Sequence, residues 1–546
     1  RGSTIYFKAF VTNESGTILS EESSFTNIPV FTGSGNWGDA ARWNVQQVPG
    51  SNGDVPDGGD MDNPTINGTC TPTSENTINN LTINSGSGRL LNINPGVSLT
   101  VNGILENNNG TGGLILKSDA TGTGSLMHNS NNVDATVQRF ISGTDELTAK
   151  KYHLVSVPIN SATYLSEVWL YSYLFTYLEN SDTWYAWDVP TTNVLDTKQG
   201  AMVFYPNYIS GTTSRTYNIS GQLNNGEYSP TITTSGNGYN LVPNPYPSAI
   251  NWDLVTHTNV ENSIWIFNPD TKTYGVYNGS GTNGVTNIIP VGQAFFVKAT
   301  GSGLTFDNTI RLHDHKAFMK SQESATDEFH LQVIGGEGSD ELVVKLREEA
   351  TFGRDNQYDA VKFYSDLKVP QISSFTETND DLLSINTVPF TTNAITIPVR
   401  FELSTSGEVS FVGSGFESFG DVSIRLEDTK ENTTVKLEKT PVYTFQHETG
   451  DDPLRFKLHI LSTVGVNEPA SNNGSMVYVV DRNIHILYPS GSNQGEACLL
   501  DMQGRELTRF SLTGSGNDVF NTTVASGIYI VRLTNQNDAA FKIIVK

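Results

Sequence analysis

Apolar residues in this chain come in short runs, each cut off by Gly, Asn, Ser or Thr, and helical periodicity is hard to find anywhere. In Phe541-Lys542-Ile543-Ile544-Val545-Lys546, Phe541, Ile543 and Val545 fall on one side, and Lys542, Ile544 and Lys546 on the other. That is period two, the pattern of a half-buried strand. Charged residues make up 16% of the chain, below the roughly 25% of an average globular protein, and small polar turn formers take their place. At 546 residues the chain exceeds what one core holds, so several domains, about three to five, are expected. The fold class read from these features is all-β, built as tandem modules.

The net charge is −24 and the pI about 4.7. Such a surface repels nucleic acid phosphates and anionic membranes, so no nucleic acid partner is expected. It suits solubility outside a cell, and it is compatible with bound calcium. The two cysteines, Cys70 and Cys498, fall in different expected domains, so no disulfide framework is read. No apolar run reaches the length of a transmembrane helix. The chain starts at Arg1 inside a strand pattern, and the expectation is a fragment of a longer precursor with its export signal upstream.

Residues 1–29 alternate through Ile5-Tyr6-Phe7-Lys8-Ala9-Phe10-Val11, turn at Asn13-Glu14-Ser15-Gly16 and return at Ser23 to Thr26. They resemble the last hairpin of a fibronectin type III-like domain. Residues 30–132 open with Trp37-Gly38-Asp39-Ala40-Ala41-Arg42-Trp43. Apolar triplets then recur: Leu81-Thr82-Ile83, Leu91-Asn92-Ile93, Leu99-Thr100-Val101 and Leu114-Ile115-Leu116. Short strands between Asn/Gly corners predict rungs of a parallel β-solenoid, with a plain sandwich as the alternative. The Trp-Gly-Asp opening resembles a segment found ahead of such solenoids in large secreted Bacteroidetes proteins. Residues 133–316 are the most aromatic part and are read as an antiparallel sandwich. Residues 317–463 form a further sandwich, with alternation in Phe329 to Val333, Leu342 to Leu346, Ile395 to Val399 and Val422 to Leu426. Val464 to Gly474, with Pro469, is a linker.

Residues 464–546 carry about seven short strands with turn signals between them, the pattern of a small immunoglobulin-like sandwich. Leu500-Asp501-Met502-Gln503-Gly504-Arg505-Glu506-Leu507, Ala525-Ser526-Gly527-Ile528-Tyr529-Ile530-Val531-Arg532-Leu533 and Lys542-Ile543-Ile544-Val545-Lys546 agree in order, spacing and position with one family. The stretch resembles the type A C-terminal sorting domain of the Bacteroidetes type IX secretion system. Many such domains begin near a Tyr-Pro-Asn-Pro, where this chain has Leu487-Tyr488-Pro489-Ser490-Gly491. The departure bears on the subtype. The resemblance implies recognition of a folded domain by the outer-membrane translocon and its shuttle protein. A sortase cut within 464–474 and attachment to surface lipid are further implications. The sorting residues it points to are Gly504, Arg505, Gly527, Tyr529, Val531, Lys542 and Lys546, with the glycines as turn devices and the rest in the final hairpin.

Catalytic patterns are scarce. No phosphate loop, nucleophile elbow or His-Glu-x-x-His occurs. His313-Asp314-His315 sits at a domain junction without a nameable third ligand, so it reads as a solvated linker and no metal site is assigned. Asp54, Asp57, Asp60 and Asp62 crowd one turn, which is either solvated or a calcium loop of non-EF-hand spacing; no other cofactor is expected. Trp184, Tyr185, Trp187, Trp252 and Trp265 are candidate sugar-stacking residues, set against a role as sandwich core. Exposure decides between the two. The function read from the sequence is the C-terminal part of an exported surface protein, a non-catalytic stalk or adhesin region, with surface glycans as possible ligands. The alternative is a carbohydrate-binding region of a secreted glycan-degrading enzyme whose catalytic domain lies upstream.

Overall fold

The computed structural model describes residues 4–13, 16–26, 28–49, 63–143, 150–160, 172–186, 197–205, 214–314, 328–376, 379–389, 394–416, 422–438, 441–462, 475–480, 482–488, 495–514, 517–534 and 540–545. Among them every regular element is a β-strand or a short 3-10 turn, so the all-β expectation holds. The chain divides into two compact units. One comprises Arg1–Pro269 and Val285–Lys320, the other Asp270–Gly284 and Ser321–Lys546.

In the first unit, Thr4–Phe7 pairs antiparallel with Ser23–Thr26, and Phe10–Asn13 with Gly16–Leu19. Parallel pairing then takes over. Val30–Asn36 runs in register with Thr65–Thr71. The two backbones approach so closely at Gly33 and Gly68 that a Cβ on Gly68 would lie 2.1 Å from the Gly33 carbonyl oxygen, which is why no side chain fits there. Asn76–Ile78, Ser98–Val101 and Ser125–His128 stack as one parallel ladder. Leu81–Ile83 stacks on Leu105–Asn107, and Leu90–Ile93 on Leu114–Leu116. The expected triplets are thus solenoid rungs, each placing alternate apolar residues inward.

The Trp-Gly-Asp opening belongs to this core. Trp37 and Trp43 are buried edge-to-face at 5.0 Å. The Trp43 indole N–H donates to the Trp37 carbonyl and the Trp37 indole N–H to the Pro49 carbonyl. Asp39 caps the 3-10 turn Ala40–Arg42 by accepting the Ala41 N–H at 3.1 Å.

The solenoid does not stop at residue 132. Asp134–Ser142 pairs parallel with Leu114–Leu116 and antiparallel with Ser214–Gln222, so one sheet and one apolar core run into the aromatic segment. There Tyr152–Val155, Ala201–Phe204, Tyr173–Leu178 and Thr183–Ala186 form an antiparallel sheet in that order. The Asn244-Pro245-Tyr246-Pro247 corner is held by fully buried Asn244, whose amide donates to the carbonyls of Ser248, Ile289 and Pro290.

The second unit holds an eleven-stranded sheet over residues 328–462. It curls so that Leu426 and Leu437 from one end share a core with Phe445 from the other. Tyr443 donates to Asp428 at 2.8 Å, and buried Arg455 pairs with the same carboxylate at 2.6 Å. The C-terminal seven strands form a three-stranded sheet, Met476–Val480, Asn483–Leu487 and Asn517–Asn521, and a four-stranded one, Glu496–Leu500, Glu506–Ser511, Gly527–Thr534 and Ala540–Val545. They enclose a core of their own, with Ile484, Ile486, Leu499, Val531, Leu533, Ile543 and Val545 buried.

Candidate functional site

Two places bring candidate residues together. The first is the four-stranded sheet of the aromatic segment. Cross-strand pairing sets Tyr152 and Tyr173 opposite Phe204, and Trp184 opposite Tyr177, on one face. Tyr173 stacks on Phe204 at 5.8 Å, while Trp184 meets Tyr177 edge-on at 5.4 Å and Phe296 at 5.9 Å. Trp184 stays half-buried and Tyr173 is 46% exposed.

The turn behind this face is pinned by Glu179. Its carboxylate accepts the N–H groups of Ser235, Gly236 and Gly238 and the Thr233 hydroxyl, at 2.7 to 3.0 Å. Burial alone would raise its pKa, but these donors together hold it below the ordinary glutamate value. The Tyr177 hydroxyl donates to Asp182 at 2.6 Å and accepts from Asn237. Glu179 had no local signal, because its donors lie more than fifty residues away in sequence.

The five proposed sugar residues do not share one surface. Trp252 and Trp265 are each 1% exposed. The Trp252 indole N–H is taken by the Asn262 carbonyl, and Trp265 packs on Tyr239 at 5.4 Å. Both are core residues and drop out as sugar platforms. Tyr185 is exposed, but it follows Trp184 on one strand and faces the opposite side. Trp187 lies outside the described residues, as do Asp54, Asp57, Asp60, Asp62 and His315. His313 is engaged by two hydroxyls, Thr100 at Nε2 and Ser125 at Nδ1, at 2.8 and 2.7 Å. Among the described residues no group of three His, Cys, Asp or Glu side chains is placed to hold a metal, and no helix is long and apolar enough to cross a membrane.

The second place is the C-terminal module. Gly504 sits at φ +78° in the turn after Leu500, the conformation expected of it. Asp501 organises that turn: its carboxylate accepts the N–H groups of Gln503 and Arg505 and the Arg505 guanidinium. The Arg505 N–H, first among these contacts, holds its pKa below the ordinary aspartate value. Gly527 departs from expectation. It does not have a positive φ, and it starts a strand by pairing with Val545. Tyr529 pairs with Ile543 and donates its hydroxyl to the Ala525 carbonyl at 2.7 Å. Val531 is fully buried, and Lys542 is exposed opposite Ile530. Lys546 lies outside the described residues.

In the stretch Leu487-Tyr488-Pro489, Tyr488 is a buried staple. Its hydroxyl donates to Asp518 and accepts the Gly514 N–H at 2.8 Å, while Asp518 also accepts the Thr513 N–H and hydroxyl.

A family model described as a domain of unknown function (DUF8693) matches residues 30–268 and 262–460. The chain is also similar to the minor fimbrium subunit Mfa5 of Porphyromonas gingivalis. The two are 24% identical over 486 residues, covering 77% of this chain and 38% of that protein. The chain therefore spans well under half the length of this relative.

Proposed function

The chain belongs to the DUF8693 family, and from that premise we propose that it is part of a non-catalytic surface protein of a Bacteroidetes cell, structural or adhesive in role. We further propose that its C-terminal module directs export across the outer membrane by the type IX system. The observation that carries the first part is the similarity to a fimbrium subunit across most of the chain. The module's separate core, its Gly504 turn and its final hairpin support the second. The partners of this reading are the translocon and its shuttle protein, with a sortase if the module is removed.

The test is removal of residues 541–546 in the exporting cell, followed by fractionation. The truncated chain should accumulate in the periplasm and vanish from the surface; normal export would sink the sorting role. A second reading rests on the half-open aromatic face: Trp184 and Tyr173 offer ring surface to a sugar. A glycan array of the whole chain checks it, with binding lost in Trp184→Ala.

A further inference from the structure

We propose that the half-open aromatic face of the sheet formed by Tyr152–Val155, Ala201–Phe204, Tyr173–Leu178 and Thr183–Ala186 binds an extended, uncharged oligosaccharide. The glycan lies along Tyr173 and Phe175 and crosses to Trp184. This rests on the second reading above and deepens it by naming the length and the charge class of the sugar.

The sheet has two unlike faces. Leu174, Val203, Ala201 and Val155 lie on one and join the apolar core of their unit. Cross-strand register sets Tyr152, Phe204, Tyr173, Phe175, Tyr177 and Trp184 on the other. Phe204 and Tyr177 are buried there, Tyr152, Phe175 and Trp184 are half-buried, and Tyr173 is exposed. An aromatic ring buries a large area where a core takes it, so four rings left partly open on one face mark a surface for contact.

The open rings form a line. Tyr173 and Phe175 are two residues apart on one strand, and Trp184 lies opposite Tyr177, two residues further along. At about 3.4 Å per residue and about 4.8 Å between strands, the stripe from Tyr173 to Trp184 runs about 14 Å. That exceeds a single sugar ring and suits several joined end to end. The closed rings set the open ones. Phe204 lies against Tyr173 at 5.8 Å and nearly parallel, at 15°, so the exposed side of Tyr173 is the flat of its ring. Tyr152 meets Phe175 edge-on at 6.0 Å, and Phe296 meets Trp184 edge-on at 5.9 Å. Rings held in this way lose little freedom on binding. Flat ring surface on a sheet matches the C–H face of a pyranose, whereas the anchors of a protein partner fill pockets.

Polar groups stand at one end of the stripe. The Tyr177 hydroxyl donates to Asp182 at 2.6 Å and accepts from the Asn237 amide at 2.9 Å. Asp182 is exposed, which places a carboxylate beside Trp184 as an acceptor for sugar hydroxyls. That carboxylate and the net charge of −24 repel uronic and sulfated chains. Glu179 takes no part, because its oxygens already accept four donors.

The test is calorimetric titration of the whole purified chain with oligomers of glucose, mannose and N-acetylglucosamine, one to six units long, and with oligogalacturonates of the same lengths. In one neutral series the tetramer should bind about ten-fold more tightly than the monomer, and the oligogalacturonates should not bind. Tyr173→Ala and Phe175→Leu should each weaken the tetramer about five-fold. Tyr173→Ala removes an exposed ring and Phe175→Leu keeps apolar bulk, so an unchanged melting temperature is expected of both. Tyr185→Ala, on the opposite face, should bind as the parent does.

Affinity that does not grow with length but is lost in Trp184→Ala overturns the stripe and leaves the single-sugar reading standing. Preference for the oligogalacturonates, or loss of binding in Tyr185→Ala, overturns the proposal. So does failure to bind any of the oligomers, and a blank glycan array would then remove the second reading as well.

Discussion

Lys362 and Asp340 meet at 2.5 Å with both side chains buried. Asp340 also accepts the Ile372 N–H at 2.7 Å and the Asn283 amide at 2.9 Å. Removing one member of a buried pair leaves an uncompensated charge, at about 3–5 kcal/mol. Lys362→Ala should therefore lower stability by that amount in chemical denaturation. Asp340→Ala should cost more, because it orphans two further donors. His330 lies nearby, between Glu341 at 2.9 Å and Glu328 at 3.4 Å. Burial alone would lower its pKa, but the two carboxylates outweigh it and lift it to about 9. A raised pKa stabilises the fold fully below the unfolded value of about 6.5 and loses that contribution as pH climbs through the folded value. Stability should thus fall between pH 6.5 and 9, by up to about 3 kcal/mol at 1.36 kcal/mol per unit. The slope should flatten in His330→Gln. Asp359, pushed up to about 6 by burial, loses its contribution lower, between its ordinary range and pH 6, so the two windows separate in a pH series.

Among elements, the turn glycines test how backbone rather than side chain determines local structure. Gly504 holds φ +78° with nothing within 4 Å of an added Cβ. Gly504→Ala should cost about 1–2 kcal/mol from conformation alone. Gly527→Ala should be close to neutral, since its backbone is ordinary and the nearest atom to a Cβ is the Tyr529 ring at 3.4 Å. Gly68→Ala differs in kind, because its Cβ would strike a carbonyl oxygen across two rungs. It should destabilise the first unit well beyond Gly504→Ala, measured by the same denaturation. Period two was legible in these elements: the residues assigned to one side of Phe541 to Val545 are the ones buried or half-buried against the core. Partner choice was not. That Leu91 lies on Leu114 and Cys70, and Asp134–Ser142 on both a solenoid rung and an antiparallel strand, follows from how the chain stacks in space.

For the whole molecule, the C-terminal module has a core distinct from that of residues 328–462. A reporter enzyme carrying residues 464–546 at its C-terminus should therefore follow the module out of the periplasm in the exporting cell. Reporter activity in the medium or on intact cells measures it, and activity confined to the periplasm would show that the module needs the rest of the chain. Charge acts at this scale too: an acidic body and a neutral module present two different surfaces to any partner.

By itself the sequence determined the all-β class, the solenoid triplets and the strand-turn-strand layout of the final module. Each of these is written in spacing of two or in turn residues a few positions apart, and local sterics suffice to read them. Which aromatic rings remain open was decided only in three dimensions. Trp252 and Trp265 look no different in sequence from Trp184, yet the first two are buried, packing on Phe295 and Tyr239, while the third, against Phe296, stays half-open. Strand neighbours in the last sheet were decided there as well. Ile528 and Ile544 are separate residues until cross-strand register, a long-range property, sets them side by side.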